Sequence, residues 1–116
     1  MKKVEMRHYY NDADIEDLER RQAIVANHLG KEAVSEIAKE ECSELIKALT
    51  KIWRAEHTTF ASKSDEELLE DLKEEIADVQ SCINNLKLIY NISDDEIYNI
   101  RDFGIKRAFG RYNLKD

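Results

Sequence analysis

Four carboxylates in this chain are spaced so that they can do chemistry. Glu41 precedes Glu44 by three residues, and Glu75 precedes Asp78 by three. Spacing alone selects nothing, because Asp14/Asp17, Glu16/Glu19, Glu67/Glu70 and Asp71/Glu74 share it in a chain with 25 acidic residues. Helical phase does select. At about 100° per residue, Val34, Ile37, Leu45, Ala48 and Ile52 fall within roughly 40° of Glu41, and Glu44 lies about 60° to one side. Leu68, Val79, Cys82 and Leu86 fall within roughly 40° of Glu75, with Asp78 about 60° to the same side. Glu41 and Glu75 therefore interrupt apolar stripes, whereas Glu16 and Glu70 point away from theirs. An unpaired carboxylate facing a core costs several kcal/mol or is driven to its neutral form. Two such residues on neighbouring helices, each with a flanking acid, gather up to four negative charges, and no inward-facing lysine on these stripes offsets them. A carboxylate-only cluster suits hard, oxygen-preferring cations, Mg²⁺ or Mn²⁺. The alternative is a purely structural acid network.

Other chemistries find little support. A di-iron bundle needs two ExxH motifs on core helices, and the only match here is Glu5 to His8, in the N-terminal arm. His28 and His57 lie near helix ends and read as surface residues. Cys42 and Cys82 form no CxxC pair and read as reduced, partly buried thiols, without ligand spacing for zinc. No glycine-rich phosphate loop is present, which excludes a P-loop nucleotide hydrolase.

The elements that must position these carboxylates are helices. The 116 residues include no proline and three glycines (Gly30, Gly104, Gly110), with 42% hydrophobic and 37% charged residues. So little punctuation disfavours a sheet. The chain reads as one all-α domain over residues 1–116, an antiparallel four-helix bundle-like arrangement behind an N-terminal arm over 1–11. Asp12 or Asp14 caps a first helix that ends or kinks at Gly30, with Ile15, Leu18, Val25 and Leu29 on one face. A second helix spans about 31–55, and a polar loop covers 57–64. Ser64 with Glu67 forms a capping box for the third helix, whose stripe is Leu68, Leu72, Val79, Ile83, Leu86 and Tyr90. Ser93 with Glu96 opens the fourth, which is expected to turn Ile97, Ile100, Gly104, Ala108 and Tyr112 inward. A formal charge of −7 argues against nucleic acid or an anionic membrane as partner. No apolar run approaches the ~18 residues of a membrane span, and no signal-peptide core is present, so a cytoplasmic location is expected.

The sequence Glu40-Glu41-Cys42-Ser43-Glu44 followed by Glu75-Ile76-Ala77-Asp78 resembles the EExxE…ExxD signature of the all-alpha nucleoside triphosphate pyrophosphohydrolases, and most closely their short MazG-like members from bacteria and phages. The similarity extends through Leu45 to Leu49 and Val79 to Tyr90 and covers about residues 28–112, so residues 12–112 read as a MazG-like domain. The interval between the two motifs is longer than usual for that family, and Gly104 stands where short relatives often carry lysine.

The resemblance implies the all-alpha NTP pyrophosphatase fold and hydrolysis of a (d)NTP to the monophosphate and pyrophosphate, by attack of metal-activated water on the α-phosphorus. It implies Mg²⁺ ligation by Glu41, Glu44, Glu75 and Asp78, with Glu40 and Glu41 catalytic and Glu40 orienting or activating water. Arg107 and Arg111 match the family's phosphate-binding arginines. Lys51 and Asn85, two turns onward on the metal-side edges of their helices, are candidates for phosphate or sugar contacts. Broad apolar stripes, extended by Ile46 and Trp53, imply a homodimer or a dimer of dimers. The competing expectation is a non-catalytic helical interaction module, a partner-binding or antitoxin-like bundle, which has no use for Glu41 and Glu75 facing inward.

Overall fold

Three polar side chains set where the helices begin. Asn11 Oδ1 accepts the Asp14 N–H (2.9 Å) while Asp14 Oδ2 accepts the Asn11 N–H (3.1 Å), a reciprocal capping box. Ser64 with Glu67 and Ser93 with Glu96 repeat the arrangement. These caps open α1 (Asp12–His57), α2 (Asp65–Ile89) and α3 (Asp94–Arg111), the helices of a computed structural model that describes residues 8–116. Most of the arm read over 1–11, including Glu5 of the ExxH pair, lies outside the described residues. The caps at Ser64 and Ser93 are those expected from the sequence. The first helix opens on Asn11, because Asp14 serves as the partner three residues in.

Among the described residues the fold is all-α, but it holds three helices where four were expected, and the four-helix arrangement is corrected accordingly. Gly30 is the point of difference. Its φ of 83° and ψ of 171° depart from helical geometry, yet helix continues on both sides with no intervening loop. That backbone region is open essentially to glycine alone, so one residue redirects the chain. The result is a 46-residue run in which two helical limbs meet at a kink, with no loop between them.

The last helix does not close a bundle either. α1 and α2 pack on each other, while α3 has no buried residue. Of its expected inward stripe, Ile97 and Ala108 are half-buried, whereas Ile100 is 70% exposed and Tyr112 65%. Apolar spacing identifies a face suited to cover but not what covers it.

The limb of α1 after Gly30 runs antiparallel to α2. Near one end, the Ser35 and Tyr90 hydroxyls lie 3.4 Å apart and the Lys31 ammonium sits 4.7 Å over the Tyr90 ring. Farther along, Glu41 meets Asp78. The limb before Gly30 reaches the same end of α2, where Gln22 Nε2 donates to Asn85 Oδ1 at 2.8 Å. The seam is built mostly from small residues, Ala26, Val34, Ala38 and Ala48 of α1 with Leu68 and Cys82 of α2. Small side chains let the backbones approach closely, and that proximity is what brings carboxylates of the two helices together.

Candidate metal centre

Glu41 of α1 and Glu75 and Asp78 of α2 converge at this seam. Each offers one carboxylate oxygen, and the three oxygens lie within 4.8 Å of one another, with all three residues partly buried. Glu75 Oε2 is buried and has no hydrogen-bond partner among the described residues. Burial raises the pKa of Glu41 above the ordinary carboxylate range, followed by the charges of Asp78 and Glu75, a hydrogen bond with Asp78 and the charge of Glu40. Glu75 is raised by burial first, then by Asp78, Glu74, Glu44 and Asp71. The Cys82 thiol is raised by burial and then by Glu41, Cys42 and Asp78. Each of these shifts favours the uncharged form, because burial strips water from the charged form and the neighbouring acids add a negative field.

Several acidic residues elsewhere at the same spacing hold partners instead. Asp17 takes both Arg20 (2.8 Å) and Arg21 (2.9 Å), Glu70 takes Lys73 (3.1 Å), Asp71 takes Lys63 (2.6 Å), and Glu67 closes its capping box. No ion pair among the described residues reaches Glu41, Glu75 or Asp78. Three convergent carboxylates, one of which also carries a buried oxygen without a donor, form a ligand set suited to a divalent cation of the hard class. Glu41 and Glu75, the two acids that interrupt apolar stripes, both lie in this cluster.

The other candidate residues are not members of this cluster. Glu44 is partly buried, takes Lys47 Nζ at 3.2 Å and adds to the negative field on Glu75, but it is not among the three convergent carboxylates. Glu40 is exposed beside Glu41. Lys51 lines a cavity of about 130 Å³ with Arg54, Phe60, Lys63 and Leu68. Asn85 is only 8% exposed and lines a separate cavity of about 330 Å³ at the other end of α2. Arg107 and Arg111 stand exposed on α3, with the Arg107 guanidinium 5.9 Å over the Phe103 ring.

Sequence reasoning did not single out Gln22, which holds Asn85 from 63 residues away. No local pattern signals a contact of that kind. The basic neighbours of Lys51 were within reach, since Arg54 follows it at i, i+3.

Set against known proteins, the chain matches no family model, no curated protein and no solved structure.

Proposed function

We propose that this protein is a Mg²⁺-dependent nucleoside triphosphate pyrophosphohydrolase of the MazG-like kind, converting a (d)NTP to the monophosphate and pyrophosphate. The observation that carries the reading is Glu75 Oε2, a buried oxygen without a donor inside a cluster of three carboxylates. An all-acid cluster on an acidic chain binds a polyanion only with cations between them. Its members coincide with both halves of the EExxE…ExxD pattern.

In this reading Glu41, Glu75 and Asp78 hold the ion, and Glu44 turns from Lys47 to join them. Bound Mg²⁺ supplies the positive charge that lets carboxylates and a polyphosphate share one site, and acidifies water for attack on phosphorus. Glu40, exposed at the rim, accepts a proton from the attacking water on its side-chain carboxylate. Lys51 and the α3 residues Arg107 and Arg111 supply charge-assisted hydrogen bonds to phosphate oxygens. Mn²⁺ serves in place of Mg²⁺, since it favours the same oxygen donors.

A homodimer or dimer of dimers completes the reading. Ile46 and Trp53 on α1 and Ile100 and Phe103 on α3 are each more than half exposed, and large apolar side chains left in water favour self-association. The same exposed residues favour the second reading, a helical interaction module without catalysis. Mg²⁺ separates the two. A panel of canonical and modified dNTPs, assayed for pyrophosphate and for orthophosphate with and without Mg²⁺, should give Mg²⁺-dependent pyrophosphate. If no triphosphate is turned over and melting is indifferent to Mg²⁺, the interaction module is the better account.

A further inference from the structure

The cavity of about 330 Å³ lies where the early limb of α1, the end of α2 and the start of α3 meet, a volume at the small end of the range for ligand pockets. Its chemistry differs from that of the metal centre. Gln22, Asn84 and Asn85 bring three side-chain amides to its wall, and Ala23, Leu88 and Ile92 supply apolar surface. Lys87 is already engaged by Asp94 at 2.5 Å, and Glu19 is acidic, so nothing in the cavity favours a phosphate.

Asn85 is the informative residue. It is more than nine-tenths buried, its Oδ1 accepts from Gln22, and its Nδ2 has no partner among the described residues. The linked amides therefore present an unused donor group, Asn85 Nδ2, beside an unused acceptor, Gln22 Oε1. Turning both amides over exchanges the roles and still leaves a donor group beside an acceptor. A neutral, planar ring carrying an adjacent donor and acceptor on one edge complements that pair, with its faces against Leu88 and Ile92.

Placement ties the cavity to the metal centre. Asn85 follows Asp78 by seven residues, two helical turns or about 10.5 Å along the axis and on nearly the same face. Leu68, on the opposite side of Glu75, borders the other cavity, where Lys51 and Arg54 gather positive charge beside Lys63, which Asp71 engages. The order along α2 is thus amides, carboxylates, cations.

We propose that the Gln22–Asn85 cavity is the subsite for the nucleobase of the substrate, with the phosphate chain running through the carboxylates toward Lys51. This rests on the reading of the chain as a nucleotide hydrolase, and the two can fail separately. The test uses the full chain without metal and four probes that lack phosphate: thymidine, deoxycytidine, deoxyadenosine and deoxyguanosine. At least one should saturably shift the side-chain amide resonances of Gln22 and Asn85 in nitrogen–proton correlation spectra. Leu88→Trp, which fills the cavity from an exposed position, should weaken that nucleoside at least about tenfold and raise KM for its triphosphate by a similar factor while kcat changes little. The wild-type shifts decide the matter alone if the variant does not fold. If triphosphates are hydrolysed but no nucleoside moves these amides, or the shifts map to the Lys51–Lys63 cavity, the base subsite is wrong and the hydrolase reading stands. If a nucleoside binds at Asn85 but no triphosphate is cleaved, the subsite stands and the hydrolase reading falls. Absence of both overturns both.

Discussion

Replacing Glu75 with glutamine should make the metal-free protein more stable and the Mg²⁺ response smaller. The side chain keeps its shape and loses its charge, so the change isolates electrostatics. Two unit charges within 4.8 Å of one another repel by at least about 0.9 kcal/mol at the dielectric of water and about 3.5 kcal/mol at the value suited to protein surfaces. Glu75 faces two such neighbours, Glu41 and Asp78. Even the aqueous limit gives a relief of about 2 kcal/mol for the two pairs, which for a domain of this size raises Tm by about 8 °C. The new amide can also donate to the Asp78 or Glu41 carboxylate, which adds about 1.5–3 kcal/mol. Mg²⁺ at a hundred times its dissociation constant stabilises the wild type by about 2.7 kcal/mol, and Glu75→Gln should forfeit most of that gain. Thermal melts of both proteins, with chelator and with Mg²⁺, read all four states. A variant that melts below wild type without metal, or that gains as much from Mg²⁺, would refute the placing of Glu75 at the centre of a repulsive cation site.

The same cluster sets a pH dependence. Glu41 and Glu75 have raised folded-state pKa values against an ordinary value of 4.5, so just above that pH the folded state binds more protons than the unfolded. Their stabilising contribution is complete below it and is lost as pH rises through the folded values. Metal-free melts across that window should show the advantage of Glu75→Gln over wild type widening with pH, and a constant difference would contradict the assignment. Gly30→Ala meets no atom within 4 Å, so its cost is purely that of placing a side chain at φ 83°. Chemical denaturation should show a loss of about 1–3 kcal/mol, and no loss would mean that the kink is not held. Finally, Glu67→Gln combined with Glu70→Gln should change turnover less than tenfold, since glutamine preserves the capping box and Glu70 sits in a surface pair of little energetic weight. Steady-state rates check this, and a large loss would show that helical phase selected the wrong acids.

Helical phase made the centre legible. Glu41 and Glu75 stand where apolar residues belong on their own helices, and that local conflict was visible without knowing how the helices pair. The capping boxes at Ser64 and Ser93 were legible for the same reason, since each is complete within four residues. What depends on distant contacts was not. Gly30 announces a break, but whether a glycine ends a helix or kinks it depends on its φ and ψ, which the packing of both limbs decides. α3 carries apolar residues at helical spacing, yet nothing in that spacing says whether α1, α2 or another chain covers them. The amide pair of Gln22 and Asn85 is illegible for the same reason. Glu41 and Glu75 are thus local information, while the choice of Asp78 over Glu44 beside them, and the cavities, belong to the fold.

The proposed chemistry turns on which phosphorus is attacked. Hydrolysis in ¹⁸O-labelled water with Mg²⁺, followed by phosphorus NMR of the products, decides it directly, because the label shifts the resonance of the phosphorus that receives it. Attack at the α-phosphorus places the label in the nucleoside monophosphate and leaves pyrophosphate unlabelled, which is the expected result. Label in free orthophosphate, with a nucleoside diphosphate left behind, would contradict it.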